Sequence, residues 1–439
     1  MTDLIQKLIN KGLLEFVYVH QLLWEYVQEL ISTDNQKKMD LLVSSLSEAG
    51  TKLMVTKPGA KVMCALASHA AAKDRKRILK SLKGHVLESV LHASAHLAIM
   101  RIIDVTDDTV SIQKMILSDI RSLKVELKYT AAGVLIGQPL PPIVNVAIHP
   151  QGCKLLLRLL SPQKKHLEPD EEFLFATIPA TSKKAPALRR KEHLTYLKSS
   201  LISACVKYAS VLLRNRNGCR VLQEVISVFY PSQVLTAVAK AMVGEIVEVE
   251  EMDQDEDEEA EEEEEEEEPI VVDEEGADEY EAGEGDEDAE EYPVDEMYTE
   301  DMDEVDGNEE PDTAEEVVPA VEEELVPIEE DINAHQSIRR IVDIQTHVEG
   351  GDSHVDSELH EAEERVNFAS ELLQEVVSHE LVAQWANCSR GCFALAQVLA
   401  VPSVKPKVKK IVKLKDIKAA VIAGTAGESA GGKKLLEIL

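Results

Sequence analysis

The feature that most constrains this chain is a short pattern that keeps returning: a small residue, two variable positions, two mostly apolar residues and another variable one. It reads KPGAKVMCAL at 57–66, ASAHLAIMRI at 93–102, PQGCKLLLRL at 150–159, RNGCRVLQEV at 216–225, SRGCFALAQV at 389–398 and AGGKKLLEIL at 430–439. Weaker copies are YVHQLLWEYV at 18–27 and NAHQSIRRIV at 333–342. In the latter Ala334 serves as the small anchor, because it puts Ile338, Ile341 and Val342 where Leu222, Val225 and Ile226 fall after Gly218. The step from Gly59 to Ser94 is 35 residues and that from Gly391 to Gly431 is 40, while other steps are longer. The spacing gives a repeat of about 35–40 residues carrying insertions.

A unit of this length holds two or three short helices and cannot bury an apolar face by itself, so neighbouring copies must stack. A further amphipathic helix is expected over KDRKRILKSLKGHVLESVLH (73–92), where Ile78, Leu82, Val86 and Val90 share one face. The nearest approach to a strand, GVLIGQPLPPIVNVAI (133–148), is interrupted by Pro139, Pro141 and Pro142. Prolines so close together do not fit inside a helix or a central strand, so this stretch reads as an inserted loop. The expected fold is all-α, an α-solenoid. A chain 44% hydrophobic but only 4% aromatic suits helices packed through aliphatic side chains.

Charge divides the chain. Residues 245–331 hold 48 of the 82 acids and no Lys or Arg, including eight consecutive Glu at 261–268. The remaining 34 acids face all 46 bases, a balance of +12. Self-repulsion makes the acidic run an expected disordered insertion between repeat regions at 1–244 and 332–439. The basic body suits a polyanion. Its strongest clusters are Lys73, Arg75, Lys76 and Arg77; Arg189, Arg190 and Lys191; Arg214 and Arg216; and Lys407, Lys409 and Lys410.

The six Cys form no CxxC pair and suggest no disulfide framework, and most sit in apolar helical runs. The first residues, MTDLIQKLINKGLLEF, do not read as a signal peptide, and no apolar run approaches the roughly 18–20 residues that span a bilayer. Glu88, His92 and His96, and Cys388 with Cys392, have helical spacings that could present metal ligands, but neither forms a full ligand set. GESAGGKK (427–434) fits a phosphate-loop pattern but lacks the preceding strand and the hydroxyl after the lysine. No nucleophile–base pair or paired-carboxylate site is evident. No catalytic, metal or cofactor site is expected.

The form GCRVLQEVI, the period and the amphipathic helices resemble the Pumilio (Puf) repeats of RNA-binding proteins. KPGAKVMCALASHAAAKDRKRILKSLKGHV (57–86), HPQGCKLLLRLLSP (149–162), SKKAPALRRKEHL (182–194) and WANCSRGCFALAQVL (385–399) look like the divergent Puf-A branch, whose members act in ribosome biogenesis. The resemblance implies a curved array of three-helix repeats, with further repeats and a basic region ahead of residue 1. In sequence-reading members each repeat offers two edge-reading side chains and one stacking side chain to a base. Cys219 and Gln223 match a pair that reads adenine, with Arg220 placed to stack.

The other copies depart from that form. Their matching positions are Ala60, Lys61 and Cys64; Ala95, His96 and Ile99; Cys153, Lys154 and Leu157; His335, Gln336 and Arg339; Cys392, Phe393 and Ala396; and Gly432, Lys433 and Leu436. Apolar residues at several of these cannot bond a base edge. Lys61, Lys154, Arg220, Arg339 and Lys433 suit phosphates, and His96 and Phe393 fall at stacking positions. The expectation is a monomeric RNA-binding scaffold of low sequence specificity, acting on pre-ribosomal RNA in the nucleus and nucleolus. Its acidic segment would compete with RNA or bind ribosomal proteins or histones. A protein-binding adaptor of the HEAT or armadillo type, and an mRNA-binding translational regulator, are the alternatives.

Overall fold

The computed structural model describes residues 2–124, 140–175, 181–244, 327–350 and 366–439. These belong to one compact unit, residues 1–249 with 326–439. Among the described residues there are helices and turns but no strand. The acidic segment expected to be disordered lies outside the described residues up to 326.

Each copy of the repeated pattern folds as one helix, and these helices stack in chain order. They are α1 (Val17–Ser32), α2 (Lys57–His69), α3 (Ala95–Val105), α4 (Gly152–Leu160), α5 (Arg216–Phe229), α6 (Ile332–Gly350), α7 (Ser389–Ala400) and α8 (Ala430–Ile438). Each packs on the next, which buries their apolar positions: Leu23 and Val27 of α1, Leu66 of α2, Ile99 of α3, Leu156 of α4, Leu222 and Ile226 of α5, Ile341 of α6 and Leu395 of α7 are all nearly inaccessible. Each such aliphatic side chain contributes about 1.5–3 kcal/mol. The stack is an α-solenoid in which most repeats place one or two outer helices ahead of the inner one, as Pro186–Lys207 and Ala209–Arg214 do for α5.

A side chain three residues before the small anchor sets where most inner helices begin. Thr56 accepts from Gly59 N (3.1 Å), Asn215 from Gly218 N (3.0 Å), Asp331 from Ala334 N (3.0 Å), Cys388 Sγ from Gly391 N (3.2 Å) and Ser429 from Gly432 N (3.0 Å). His149 Nδ1 accepts from Gly152 N (3.4 Å) and His92 Nδ1 from Ala95 N (3.3 Å) in the same way. A cap of this kind contributes about 1 kcal/mol. The anchor is small because it presses on the carbonyl six residues earlier. A Cβ on Gly59 would lie 1.9 Å from Leu53 O, on Gly218 2.8 Å from Leu212 O, on Gly391 2.3 Å from Trp385 O, and on Gly432 2.0 Å from Ala426 O.

These two rules correct the register of two copies. Ser94 and Ala95, and likewise Gly431 and Gly432, are adjacent small residues, and the pattern alone selects the first of each pair. The caps His92 and Ser429 select the second, so the anchors are Ala95 and Gly432. His96 therefore moves from a stacking position to the inner position beside the anchor. In α8 the stacking position passes from Lys433 to Lys434.

Two further differences have simple causes. The helix expected over 73–92 is two helices, Ala72–Ser81 and Val86–Leu91, separated at Gly84 with φ +82°. Ile78, Leu82, Val86 and Val90 are nonetheless all buried. Of the loop expected at 133–148, residues 142–148 form the helix Pro142–Ile148. A proline at the first helical position forfeits no hydrogen bond and presets φ, so Pro142 starts this helix. Residues 125–139 lie outside the described residues.

Successive repeats are also tied by the residue before the anchor. Asn217 Nδ2 donates to Ile148 O (3.0 Å) and Asn333 Nδ2 to Arg214 O (3.1 Å); the Arg390 guanidinium donates to Glu330 O. The last five residues of the acid-rich stretch belong to this scaffold. Ile328 and Glu329 are buried, and Asp331 caps α6. The 245–326 segment thus enters after the outer helix Ser232–Met242 and before α6, inside a repeat rather than between two.

Candidate nucleic-acid interface

With the register fixed, positions one, two, five and six after each anchor can be compared along the stack. The first is an interior position in α2 to α5 and in α7, where Ala60, His96, Cys153, Cys219 and Cys392 occupy it and are buried; in α6 it holds the half-buried His335 and in α8 the exposed Lys433. Cys219 Sγ donates to Leu213 O (2.9 Å), Cys392 Sγ to Ala386 O (3.3 Å), and burial pushes both thiols up to about 11. His96 Nδ1 donates to His92 O (3.0 Å), while its Nε2 has no partner. Burial, with Lys154 nearby, lowers its pKa to about 4. His96 is a neutral core histidine, not an exposed contact, because the one-residue shift turns it inward.

The adenine-reading set is likewise occupied from within. Cys219 is interior, and Gln223 Nε2 donates to Ser337 Oγ on α6 (3.1 Å). Arg220 alone of the three is exposed.

The second, fifth and sixth positions after the anchor form a surface that differs between the two halves of the stack. From α1 to α4 it is covered by residues 169–175, the helical turn Pro169–Glu172 followed by Phe173–Phe175. Lys154 pairs with Glu171 (3.6 Å). Lys61 lies over both Trp24 and Phe173 (5.9 and 5.8 Å to the ring centroids). Arg101 and Arg158, equivalent residues of α3 and α4, both lie on Phe175 (5.8 and 4.2 Å). Lys61 and Lys154, expected to meet phosphate, are thus engaged by the chain itself.

From α6 to α8 the same positions line an open groove of about 450 Å³. Phe393 and Lys434 hold the second position, Arg339 and Ala396 the fifth, and Gln397 and Ile438 the sixth. His335 lies 6.2 Å from the Phe393 ring, tilted by 59°. Its pKa is lowered by burial and by Arg390 and Arg339, so it stays uncharged beside them. Arg339 and Lys434 are exposed. A second hollow of about 360 Å³, lined by Leu399, Lys405, Val408, Leu414 and Leu439, meets the groove at Ala400 and Ile438. Lys433 is exposed outside the groove lining.

The basic clusters separate into supports and exposed charge. Arg75 is buried and donates to Ala67 O (2.9 Å), Ser68 O (3.2 Å) and Thr181 Oγ1 (2.7 Å). Arg189 is buried and pairs with Asp107 (2.8 Å). Arg190 donates to Leu159 O (2.6 Å) and Leu160 O (2.8 Å), closing the end of α4. Arg77 pairs with Glu48 (3.0 Å) and Asp74 (3.6 Å). These four build the scaffold. Arg214 and Lys191 are partly covered; Lys73, Lys76, Arg216, Lys407 and Lys410 are exposed, and the Lys409 side chain lies outside the described residues. A composition-based count cannot separate the two sets, since a guanidinium that ends a helix is spelled like one that meets phosphate.

The His92 imidazole caps α3, and Cys388 caps α7. Among the described residues no group of three or more His, Cys, Asp or Glu is arranged to hold a metal ion. No described helix is long and apolar enough to cross a membrane.

Residues 149–264 match the family described as the CPL (NUC119) domain. "Pumilio homology domain family member 6" of Saccharomyces cerevisiae is 28% identical over 227 residues, 50% of this chain and 30% of that protein. "Pumilio homolog 3" of Danio rerio is 26% identical over 215 residues, 48% of this chain and 31% of that one. The matched region spans about a third of the length of these curated relatives. Among solved structures, human Puf-A superposes with a TM-score of 0.65 at 17% identity, covering 100% of this chain and 65% of the other. The complex of human Puf-A with DNA gives 0.61 at 17% identity, covering 97% and 61%. Puf4 bound to an RNA 3′ UTR recognition sequence gives 0.50 at 10% identity, covering 100% and 90%. At these identities the structural likeness establishes the fold.

Proposed function

This chain is a divergent member of the Pumilio (Puf) repeat family, and from that premise we propose that it binds single-stranded RNA through the groove of α6–α8, with little sequence preference. The observation that carries this is the groove lining: Arg339 and Lys434 flank Phe393 at the positions where the repeats of the stack face outward. Cations hold phosphates and an aromatic ring stacks on any base, and neither contact selects a sequence. Base-edge reading would need polar groups at both the first and fifth positions. In α5 and α7 the first is interior, and the fifth holds a Ser337-bonded glutamine in α5 and Ala396 in α7, so no base-by-base reading runs along the stack. Structures of Puf-A with DNA and of Puf4 with RNA support a nucleic-acid ligand for this fold.

A filter-binding titration of a labelled oligouridine at rising salt tests the proposal. Affinity should fall with salt, and a shuffled mixed-base oligonucleotide of equal length should compete comparably. Salt-independent binding, or none, overturns it, as does strong preference for one short motif. The proposal extends to pre-ribosomal RNA in the nucleolus, supported by the resemblance to the Puf-A branch. It also gives the acidic segment a role in masking the basic body or binding basic ribosomal proteins or histones. Sequencing RNA crosslinked in cells tests the target, and imaging of the tagged chain tests the location.

A further inference from the structure

Residues 169–175 place side chains of nucleotide-like chemistry on the positions that stay open in the other half of the stack. The carboxylate of Glu171 meets Lys154 at 3.6 Å, as a phosphate would. The Phe173 ring sits beside Trp24 (centroids 6.3 Å apart, tilted by 51°) and under the Lys61 ammonium, where the face of a base would meet a cation. The Phe175 ring lies against the guanidiniums of Arg101 and Arg158. Lys61, Lys154, Arg101 and Arg158 occupy the second, second, sixth and sixth positions after their anchors. Phe393, Lys434 and Gln397 line the open groove from those same positions. Glu171 and Leu174 are buried, while Phe173 is 49% exposed.

We propose that residues 169–175 are an intramolecular mimic of single-stranded nucleic acid, occupying a second RNA track over α1–α4 and giving way when a strand long enough to run past the α6–α8 groove binds. The inference rests on the RNA-binding reading above. Stacking and charge contacts are shared by the mimic and the ligand, so the exchange replaces like with like, and a multi-site RNA displaces the segment at high effective concentration once its other end is held.

The test uses the full chain and two labelled probes, oligouridines of about 8 and about 30 nucleotides. In the variant F173S/F175S the long probe should bind roughly 5- to 20-fold tighter, with little change for the short one. Its log–log salt slope should steepen by about 0.7 for each newly available cation. Ultraviolet crosslinks should spread to peptides within 17–160. Adding Lys61→Glu and Lys154→Glu to this variant should cancel the gain. Should the variant fold poorly, hydrogen exchange on the unaltered chain replaces it: amides of 169–175 should exchange faster when the long probe saturates the protein. An unchanged long-probe affinity with crosslinks confined to α6–α8, or amides that stay protected at saturation, overturns the mimic and leaves RNA binding standing. Absence of binding by both the unaltered and the released chain overturns both readings.

Discussion

Gln223 Nε2 donates to Ser337 Oγ at 3.1 Å, so the amide best placed to read a base spends a hydrogen on the next repeat. Ser337 is buried and in turn donates to Asn333 O (2.9 Å). This places Gln223 in the packing of α5 against α6. Gln223→Ala should therefore cost about 1 kcal/mol of stability, the loss of one partly buried hydrogen bond. Oligouridine and oligoadenosine affinities should both stay within about twofold. A thermal melt and a pair of binding titrations check this; a selective loss of oligoadenosine binding would restore a base-reading role to Gln223.

Arg339, Phe393 and Lys434 should behave differently from one another. Arg339→Ala and Lys434→Ala should each weaken oligouridine binding several-fold and make the salt slope shallower by about 0.7. Phe393→Ala should weaken it by about 1–3 kcal/mol while leaving the slope unchanged, because stacking releases no counterion. Lys434 also pairs with Glu437 (3.5 Å) in an exposed contact. Pairs of that kind contribute little, so its loss should not confuse the stability measurement.

The two kinds of arginine should separate in the same experiment. Arg75→Ala strands the carbonyl Ala67 O, and Arg189→Ala removes a buried guanidinium that donates to Lys184 O and pairs with the half-exposed Asp107 carboxylate. Each should cost about 2–4 kcal/mol and lower the melting temperature without changing the salt slope of binding. Lys73→Ala with Lys76→Ala should leave stability within about 0.5 kcal/mol. Equal losses of affinity from both pairs would place the buried arginines in the interface.

The repeated pattern makes the stack legible from the residues themselves, because a helix that must bury one face and approach a neighbour closely leaves both an apolar period and a small residue in the chain. All eight inner helices lie on copies of that pattern. The pattern does not settle register where two small residues adjoin. Ser94 with Ala95 and Gly431 with Gly432 are resolved only by the cap three residues earlier, a signal present in the sequence at Thr56, Asn215, Asp331 and Ser429. The engagement of Lys61 and Lys154 by Phe173 and Glu171 is not legible there, since it depends on a segment folding back over helices far ahead of it in the chain.

Acid should loosen the stack through two histidines. Burial lowers the pKa of both His96 and His193 to about 4 from the ordinary 6.5. Both are nearly inaccessible, and neither ring nitrogen of His193 has a partner. The unfolded chain takes up protons on these rings at higher pH than the folded chain does. Their neutral burial therefore disfavours nothing above about pH 6.5, and stability falls as pH drops from there toward 4. The loss is of order 2–3 kcal/mol per histidine at most. Chemical denaturation at pH 7 and pH 5 should show a large drop for the unaltered chain and a smaller one for H96L/H193L. An equal drop would assign acid sensitivity to the carboxylates alone.

The acidic stretch has two ends of different character, and deletions should tell them apart. Replacing residues 250–325 with about 20 Gly and Ser residues leaves every described helix in the chain, and such a linker spans on the order of 25 Å. Melting should be nearly unchanged. Extending the replacement through Asp331 removes the cap of α6, the buried Ile328, and the Glu329 carboxylate that accepts from Gln384. A lost cap costs about 1 kcal/mol and a lost buried isoleucine a further 1.5–3 kcal/mol. The longer replacement should therefore melt well below the shorter one, and α6 should lose amide protection at its first turn. If masking by the acidic segment limits RNA binding, the shorter replacement should bind oligouridine more tightly at low salt and converge with the unaltered chain at high salt, where screening removes the competition. Equal affinity for both chains at low salt would exclude masking and leave the segment free for another partner.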